Sequence, residues 1–254
     1  MTVLSDYAGR YVNTAIERDE HGILQVTLHD GEGGPLKWCD SVHTELPLLF
    51  RDIANDTENR VVLLTGTGGH FIDNGDPGSF GFDKTVPSLG VDQIYREGKD
   101  LLLGLLDVNV PVVAAISGTT YPHAELALLS DVVIASDTTV IRDFHFEYGI
   151  VPGDGVHVVW TMLLGMNRGR YYLLTGKEIS ASEALEWGLV NEVVPAGDEL
   201  ARARELAHQI AQQPPLVLRY TREAITLELK RRFRDELPYG LALEGLASGY
   251  GNWR

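Results

Sequence analysis

Two hydrophobic rhythms alternate along this chain: short runs of consecutive apolar residues, and longer stretches where apolar residues recur at helical spacing. Ile23-Leu24-Gln25-Val26-Thr27-Leu28 predicts a strand, ended by the turn formers Asp30-Gly31 and Gly33-Gly34-Pro35. A helix is expected over about 41–55, with Leu46, Leu49, Phe50 and Ile53 on one face; Pro47 falls early enough in it to be tolerated. The run Val61-Val62-Leu63-Leu64-Thr65-Gly66 reads as a strand covered on both faces. Residues 73–88, rich in Gly, Pro and Asp, read as a loop, followed by a helix over about 91–106 and a buried strand over 110–116.

Ala124 to Leu129 predicts a short helix and Val132-Val133-Ile134-Ala135 a strand. Asp154-Gly155 starts another helix, through Val158, Trp160 and Leu163 to Gly165, and Gly188 closes a further one before a strand over 190–194. From Asp198 the periodicity is helical almost to the end, with interruptions expected at Pro214-Pro215 and at Pro238. The fold class is therefore α/β. Strand–helix units over 1–195 predict a largely parallel sheet with helices outside, and a helical C-terminal region spans 196–254.

Polar residues break this pattern most tellingly between Ile116 and His157. Pro122-His123-Ala124-Glu125, Phe144-His145-Phe146 and Pro152-Gly153-Asp154-Gly155 lie between strongly apolar segments. Ionisable groups so close to core-forming segments are expensive to desolvate unless they are paired or used. Two imidazoles and a carboxylate returning to one neighbourhood point to acid–base chemistry, whereas a single buried histidine is often only a satisfied core residue. His157 is read as structural. Asp154 also suits the cap of the helix it begins, a role compatible with orienting His145.

Composition narrows the partners. With 44% hydrophobic residues among 254, the chain can bury a substantial core, as one large domain or a domain with an appendage. Lys and Arg number 21 against 36 Asp and Glu, for a net charge of −15. The basic run Lys230-Arg231-Arg232-Phe233-Arg234 sits beside Asp235 and Glu236 and reads as a solvated helix face. Nucleic acid is disfavoured as a partner, because phosphate neutralisation supplies most of that affinity, and an anionic membrane surface on the same ground. Cys39, the single cysteine, cannot form an internal disulfide, which suits a reducing cytosol. The N-terminus lacks a basic region followed by a long apolar run, and no stretch of ~18 uninterrupted apolar residues occurs, so neither secretion signal nor transmembrane helix is expected. The expectation is a soluble, cytoplasmic protein.

Several chemistries lack their motif. No Gly-x-Ser-x-Gly marks a nucleophile elbow. Gly31-Glu32-Gly33-Gly34-Pro35 lacks dinucleotide-loop spacing, and Thr65-Gly66-Thr67-Gly68-Gly69 lacks the Gly-Lys-Ser/Thr ending of a phosphate loop. The eight histidines show no zincin pattern. No cofactor and no metal are expected. Activation of water by His with Asp is the natural remaining device, since imidazole titrates near neutral pH, with a reference value of ~6.5.

Taken in order, the segments resemble the crotonase (enoyl-CoA hydratase/isomerase) superfamily over nearly the whole chain. The resemblance rests on Val61-Val62-Leu63-Leu64-Thr65-Gly66 followed by Phe71, Pro111-Val112-Val113-Ala114-Ala115-Ile116-Ser117-Gly118, Ala124-Glu125-Leu126-Ala127 and Ser130-Asp131. It continues through Gly149-Ile150-Val151-Pro152-Gly153, Leu174-Thr175-Gly176-Lys177 and Ala181-Ser182-Glu183-Ala184-Leu185-Glu186-Trp187-Gly188-Leu189-Val190. It implies a crotonase-like spiral core of ββα turns over 1–195, a helical C-terminal region over 196–254 for trimerisation and site closure, and a homotrimer or dimer of trimers.

The departures are informative. Family members carry a glycine triplet before the segment matching Ala124-Glu125, and one of its N–H groups forms half of a thioester oxyanion hole. Here Tyr121-Pro122-His123 stands in that place, and Pro122 has no N–H. Glu125 keeps the first hydratase carboxylate, but His145 stands where the second would be. These changes resemble the coenzyme A-independent β-diketone hydrolases typified by 6-oxocamphor hydrolase. Matched residue by residue, that branch's site falls on Trp38, His43, His123, His145, Asp154 and Glu244. The resemblance implies retro-Claisen hydrolysis of a cyclic 1,3-diketone to a keto acid. His145 with Asp154 would activate water, Trp38 and His123 would hold the enolate oxygen, and His43 and Glu244 would position substrate or deliver a proton. Core packing of Trp38 and a surface place for His43 remain open. So do an acyl-CoA hydratase or isomerase using Glu125 and a non-catalytic crotonase-fold binding protein.

Overall fold

In the computed structural model, residues 2–76, 79 and 87–248 are described. A six-stranded sheet forms the centre: β1 (Thr14–Arg18), β2 (Ile23–Leu28), β4 (Val61–Thr65), β6 (Val112–Ile116), β8 (Val132–Ser136) and β11 (Glu192–Val194), paired in that order. β1 runs antiparallel to β2 and every other pair is parallel. Side chains of a strand alternate between faces, so the apolar runs feed two cores. Val62, Leu64, Val112, Ala114 and Ile116 join one; Val61, Leu63, Val113, Ala115 and Ile134 join the other. The first core is closed by α1 (Asp40–Asn55) and α2 (Pro87–Asp107), the second by α7 (Glu199–Ala211), whose Ala203, Ala207 and Ala211 recur every fourth residue. Those small side chains let the helix lie close to the sheet.

Two smaller sheets carry the connections above the central one. β3 (Lys37–Trp38) pairs in parallel with β5 (Asn74–Gly75). β7 (Thr119–Thr120), β9 (Val140–Ile141) and β10 (Ile179–Ser180) form a three-stranded sheet. α3 (Glu125–Leu128), α4 (Val156–Leu163), α5 (Gly165–Thr175) and α6 (Ala181–Glu186) fill the intervals. α6 begins with a capping box in which the Ser180 hydroxyl and the Glu183 carboxylate each accept the other residue's backbone N–H.

Part of the loop read over 73–88 lies outside the described residues, and α2 begins earlier than expected, at Pro87. β11 begins at Glu192, two residues late. β1 was not expected: an edge strand buries only one face, so Thr14-Ala15-Ile16-Glu17-Arg18 carries little apolar signal. α5 was also missed, because among its residues only Gly169 and Leu173 are buried. Pro214-Pro215 separates α7 from α8 (Pro215–Ser248) as expected, but Pro238 does not interrupt α8. Proline removes one backbone bond, yet Phe233, Leu237 and Leu241 are buried on both sides of it, and their packing keeps the helix continuous.

α8 is also anchored near its start. The buried Arg222 donates from Nε to Asp131 (2.7 Å) and from its other nitrogens to the carbonyls of Leu105 (3.3 Å), Leu106 (2.9 Å) and Val108, at the C-terminal end of α2. Asp131 in turn accepts the Val112 N–H at 2.7 Å, tying the helix to the mouth of β6. Cations suit a helix C-terminus, where carbonyls lack partners. Among the described residues no helix is long and apolar enough to cross a membrane.

Candidate active site

The elements converge on one buried polar centre. β3 sets Trp38, whose carbonyl accepts the Asp76 N–H at 2.7 Å. α1 presents His43, whose Nδ1 lies 2.9 Å from Glu97 on α2; Thr44 and Gln93 donate to the same carboxylate, each at 3.2 Å. The turn from β7 to α3 presents His123, its ring centroid 3.8 Å from that of Trp38. His43 lies 6.1 Å from Trp38 and 6.5 Å from His123 by the same measure, so the three rings form one wall.

His123 is unusual in its backbone. Its φ of +56° is the left-handed conformation that a side chain rarely adopts, and among the described residues no other non-glycine shares it. Strain of this kind persists where surrounding structure over-determines it, often at functional sites. Here the Nδ1 hydrogen bond to Glu125, at 2.5 Å, and the Trp38 ring hold the imidazole in place.

The opposite wall comes from the segment between β9 and α4. His145 Nδ1 lies 2.6 Å from Asp143, Nε2 lies 3.1 Å from Asp154 Oδ2, and Phe144 stacks on the ring at 4.8 Å. The same Asp154 oxygen lies 3.6 Å from His123 Nδ1 and so joins the two walls. Asp154 does not cap α4: the N-cap position is Gly155, without a side-chain cap bond. Glu244 reaches in from α8 because Gly240 and Gly153 touch. A Cβ on Gly240 would sit 2.3 Å from the Gly153 carbonyl oxygen.

All six residues expected from sequence therefore line one centre. Three partners were missed. Asp143 was legible in principle, two residues before His145; Glu125 was noted only as a retained hydratase carboxylate, not as the partner of His123. Glu97 carried no signal, since α1 and α2 meet only in the folded chain.

Burial and charge pull these groups apart. Burial pushes the His145 imidazole down, but Asp154 and Asp143 outweigh it and hold it well above the usual imidazole range. His123 is likewise lowered by burial and raised, on balance, by Glu125 and Asp154. Burial raises Asp154, yet His145 and His123 together hold it well below the usual carboxylate range. Glu125, fully buried beside another carboxylate, is raised. Burial, reinforced by Asp154, pushes Glu244 up to about 8. One carboxylate is thus kept ionised and another protonated near neutrality, the division a site needs to hold both a base and an acid.

Two sets among the described residues have cation-binding composition: His145, Asp154 and Glu244, and His123, Glu125 and Asp154, with candidate atoms within 4.8 Å of one another in each. In both, the imidazole nitrogen is already within hydrogen-bond reach of a carboxylate, so the set as it stands shares protons.

The model of the enoyl-CoA hydratase/isomerase family matches residues 18–244. The chain belongs to that family. A carnitinyl-CoA dehydratase of Salmonella arizonae is 34% identical over 218 residues, covering 84% of this chain and 78% of the relative. Among solved structures, a β-diketone hydrolase from the cyanobacterium Anabaena sp. PCC 7120, bound to (S)-3-oxocyclohexyl acetic acid, is 44% identical with a TM-score of 0.92, covering 96% of each chain. An enoyl-CoA hydratase/isomerase from Mycobacterium paratuberculosis is 27% identical with a TM-score of 0.83, covering 93% of each. The fold is that of the enoyl-CoA hydratase/isomerase family, the crotonase superfamily, with a central parallel sheet and a helical C-terminal region. Within it the chain resembles the β-diketone hydrolase branch. Pro122 and His123, with its φ of +56°, stand where the resemblance implies a glycine triplet.

Proposed function

We propose that this chain hydrolyses a C–C bond of a cyclic 1,3-diketone by a retro-Claisen reaction, giving a keto acid without coenzyme A. The observation that carries the reading is at Pro122–His123. Where a thioester hole would need a backbone donor, the chain has a proline, and beside it an imidazole fixed by Glu125 and Trp38. Similarity to the Anabaena hydrolase over nearly the whole chain supports it.

In this reading, neutral His145, with Asp154, takes a proton from water as the water oxygen bonds to one carbonyl carbon. The tetrahedral adduct collapses, the C–C bond breaks, and its electron pair passes into an enolate. Preorganised donors aimed at a developing oxyanion supply much of such catalysis. His123, whose Nδ1 is committed to Glu125, turns its other nitrogen to that oxygen, and Trp38 borders it. Glu244, neutral up to about pH 8, supplies the proton to the enolate carbon, and His43, held by Glu97, positions the substrate. Water and diketone are consumed and one keto acid forms. Both activating carbonyls belong to the substrate, so the step needs no cofactor.

We further propose a homotrimer or dimer of trimers in the cytoplasm, with no nucleic-acid or membrane partner. Exposed Tyr171, Leu174, Leu216, Val217, Tyr220 and Ile225 on α5 and α8 support association between copies.

Incubation with a 2,2-disubstituted cyclic 1,3-diketone, with no coenzyme A and after exhaustive chelation, tests the activity. Keto acid by mass spectrometry is the expected result. Turnover of coenzyme A thioesters alone would instead support hydratase or isomerase chemistry through Glu125. No turnover of either would favour a binding protein.

A further inference from the structure

We propose that Asp143 is the positioning residue of His145, holding the Nδ1–H tautomer from behind, so that Asp154 is left on the reacting side of the imidazole. His145 has a carboxylate on each nitrogen: Asp143 Oδ1 at 2.6 Å from Nδ1 and Asp154 Oδ2 at 3.1 Å from Nε2. The two contacts are not equivalent. Asp143 bonds to nothing else through its side chain among the described contacts, and its second oxygen is buried without a partner. Asp154 Oδ2 is shared between His145 and His123, its Oδ1 is buried without a partner among the described residues, and Glu244 closes on it from α8. Asp143 thus touches only the back of the ring, whereas Asp154 belongs to the space that joins both walls.

Each carboxylate favours a donor on its nitrogen, so on losing one proton the ring keeps it on Nδ1, where Asp143 is closer at 2.6 Å, and Nε2, 3.1 Å from Asp154, becomes the acceptor. The groups facing His145 are Asp143 behind it, Asp154 before α4, His123 before α3 and Glu244 on α8. Of these, Asp143 alone can be changed without touching the space assigned to water and substrate. Part of the inference, the kinetic role, rests on the diketone-hydrolase reading; the tautomer does not.

The test therefore has two arms. In histidine-labelled wild type without substrate, 15N NMR should show His145 Nδ1 carrying a proton throughout its titration. In Asp143→Asn, checked for folding by circular dichroism, the His145 titration should move about one to three units toward acid as the facing charge is lost. Asp143→Glu, which retains that charge, should restore most of the shift. With diketone, Asp143→Asn should lower kcat by ~10²–10⁴-fold with little change in KM, and the acid limb of its pH–rate profile should move with the titration. A bare Nδ1 in the wild type, or an unmoved titration in folded Asp143→Asn, overturns the proposal. A moved titration in a protein that leaves diketones untouched upholds the positioning of His145 and removes only the diketone reading.

Discussion

Helix α8 meets two buried polar clusters, one near its start at Arg222 and one near its end at Glu244, and they are built to opposite rules. Every nitrogen of the Arg222 guanidinium has a partner, and Asp131 spends its second bond on the backbone of β6. Around His145, by contrast, one oxygen each of Asp143, Asp154 and Glu244 is buried without a hydrogen-bond partner among the described residues. Leaving buried acceptors unmatched costs stability, and folded proteins rarely concentrate them. The first cluster is complete in the folded chain and serves the fold. The second keeps acceptors in reserve, which supports a role with reactants that arrive from outside.

That contrast breaks most sharply at its two centres. His145→Ala should abolish diketone turnover, a loss of at least ~10²–10⁴-fold, in a protein that circular dichroism shows to keep the wild-type fold. Near-wild-type rates in that folded variant would remove His145 from the mechanism. Arg222→Met should do the reverse. Breaking a buried pair by removing one partner costs about 3–5 kcal/mol, so denaturant midpoints should fall steeply while activity per folded molecule survives. A loss of activity per folded molecule would instead merge the two clusters into one function.

His123→Ala probes the wall shared with Trp38. Loss of one preorganised donor should reduce kcat by ~10²–10³-fold with a modest change in KM. A product complex should place a carbonyl oxygen within hydrogen-bond reach of His123.

Glu244→Gln should have the smallest effect. Burial and Asp154 raise this carboxyl to about 8, so the wild type carries it neutral at pH 7. A carboxyl whose folded value exceeds its unfolded value of ~4.3 binds more protons when folded, so wild-type stability falls as pH rises between the two. The variant should therefore melt at or above wild type at pH 7, with the gap widening toward pH 8. In rate profiles the wild type should rise above the ordinary imidazole range, as His145 loses its proton, and fall above about pH 8, as Glu244 does. Glu244→Gln should lose the alkaline limb. A flat wild-type profile, with chemistry limiting, contradicts both assignments.

How much was legible follows from what each element reports locally. β4 and β6 were read directly from sequence because strands covered on both faces are apolar throughout. β1 and α5 escaped because each buries too little to leave a pattern. Pro238 misled for the complementary reason: a local rule about proline was overridden by packing on either side of it.

The same division runs through the site. By itself the order of residues determined which groups were available: His123 next to a proline, His145 after Phe144, Asp154 before a glycine, and an acidic residue in the apolar stretch around Glu244. It also determined Asp143, since two residues of separation let a side chain reach its neighbour without help from the rest of the fold. Only tertiary structure decided which pairs meet. Glu97 comes to His43 because α1 packs on α2, and Glu244 comes to Asp154 because two glycines let α8 press against the loop before α4. Charge states were decided there too. They depend on burial and on facing charges from distant segments, and neither is a property of any stretch of sequence taken alone.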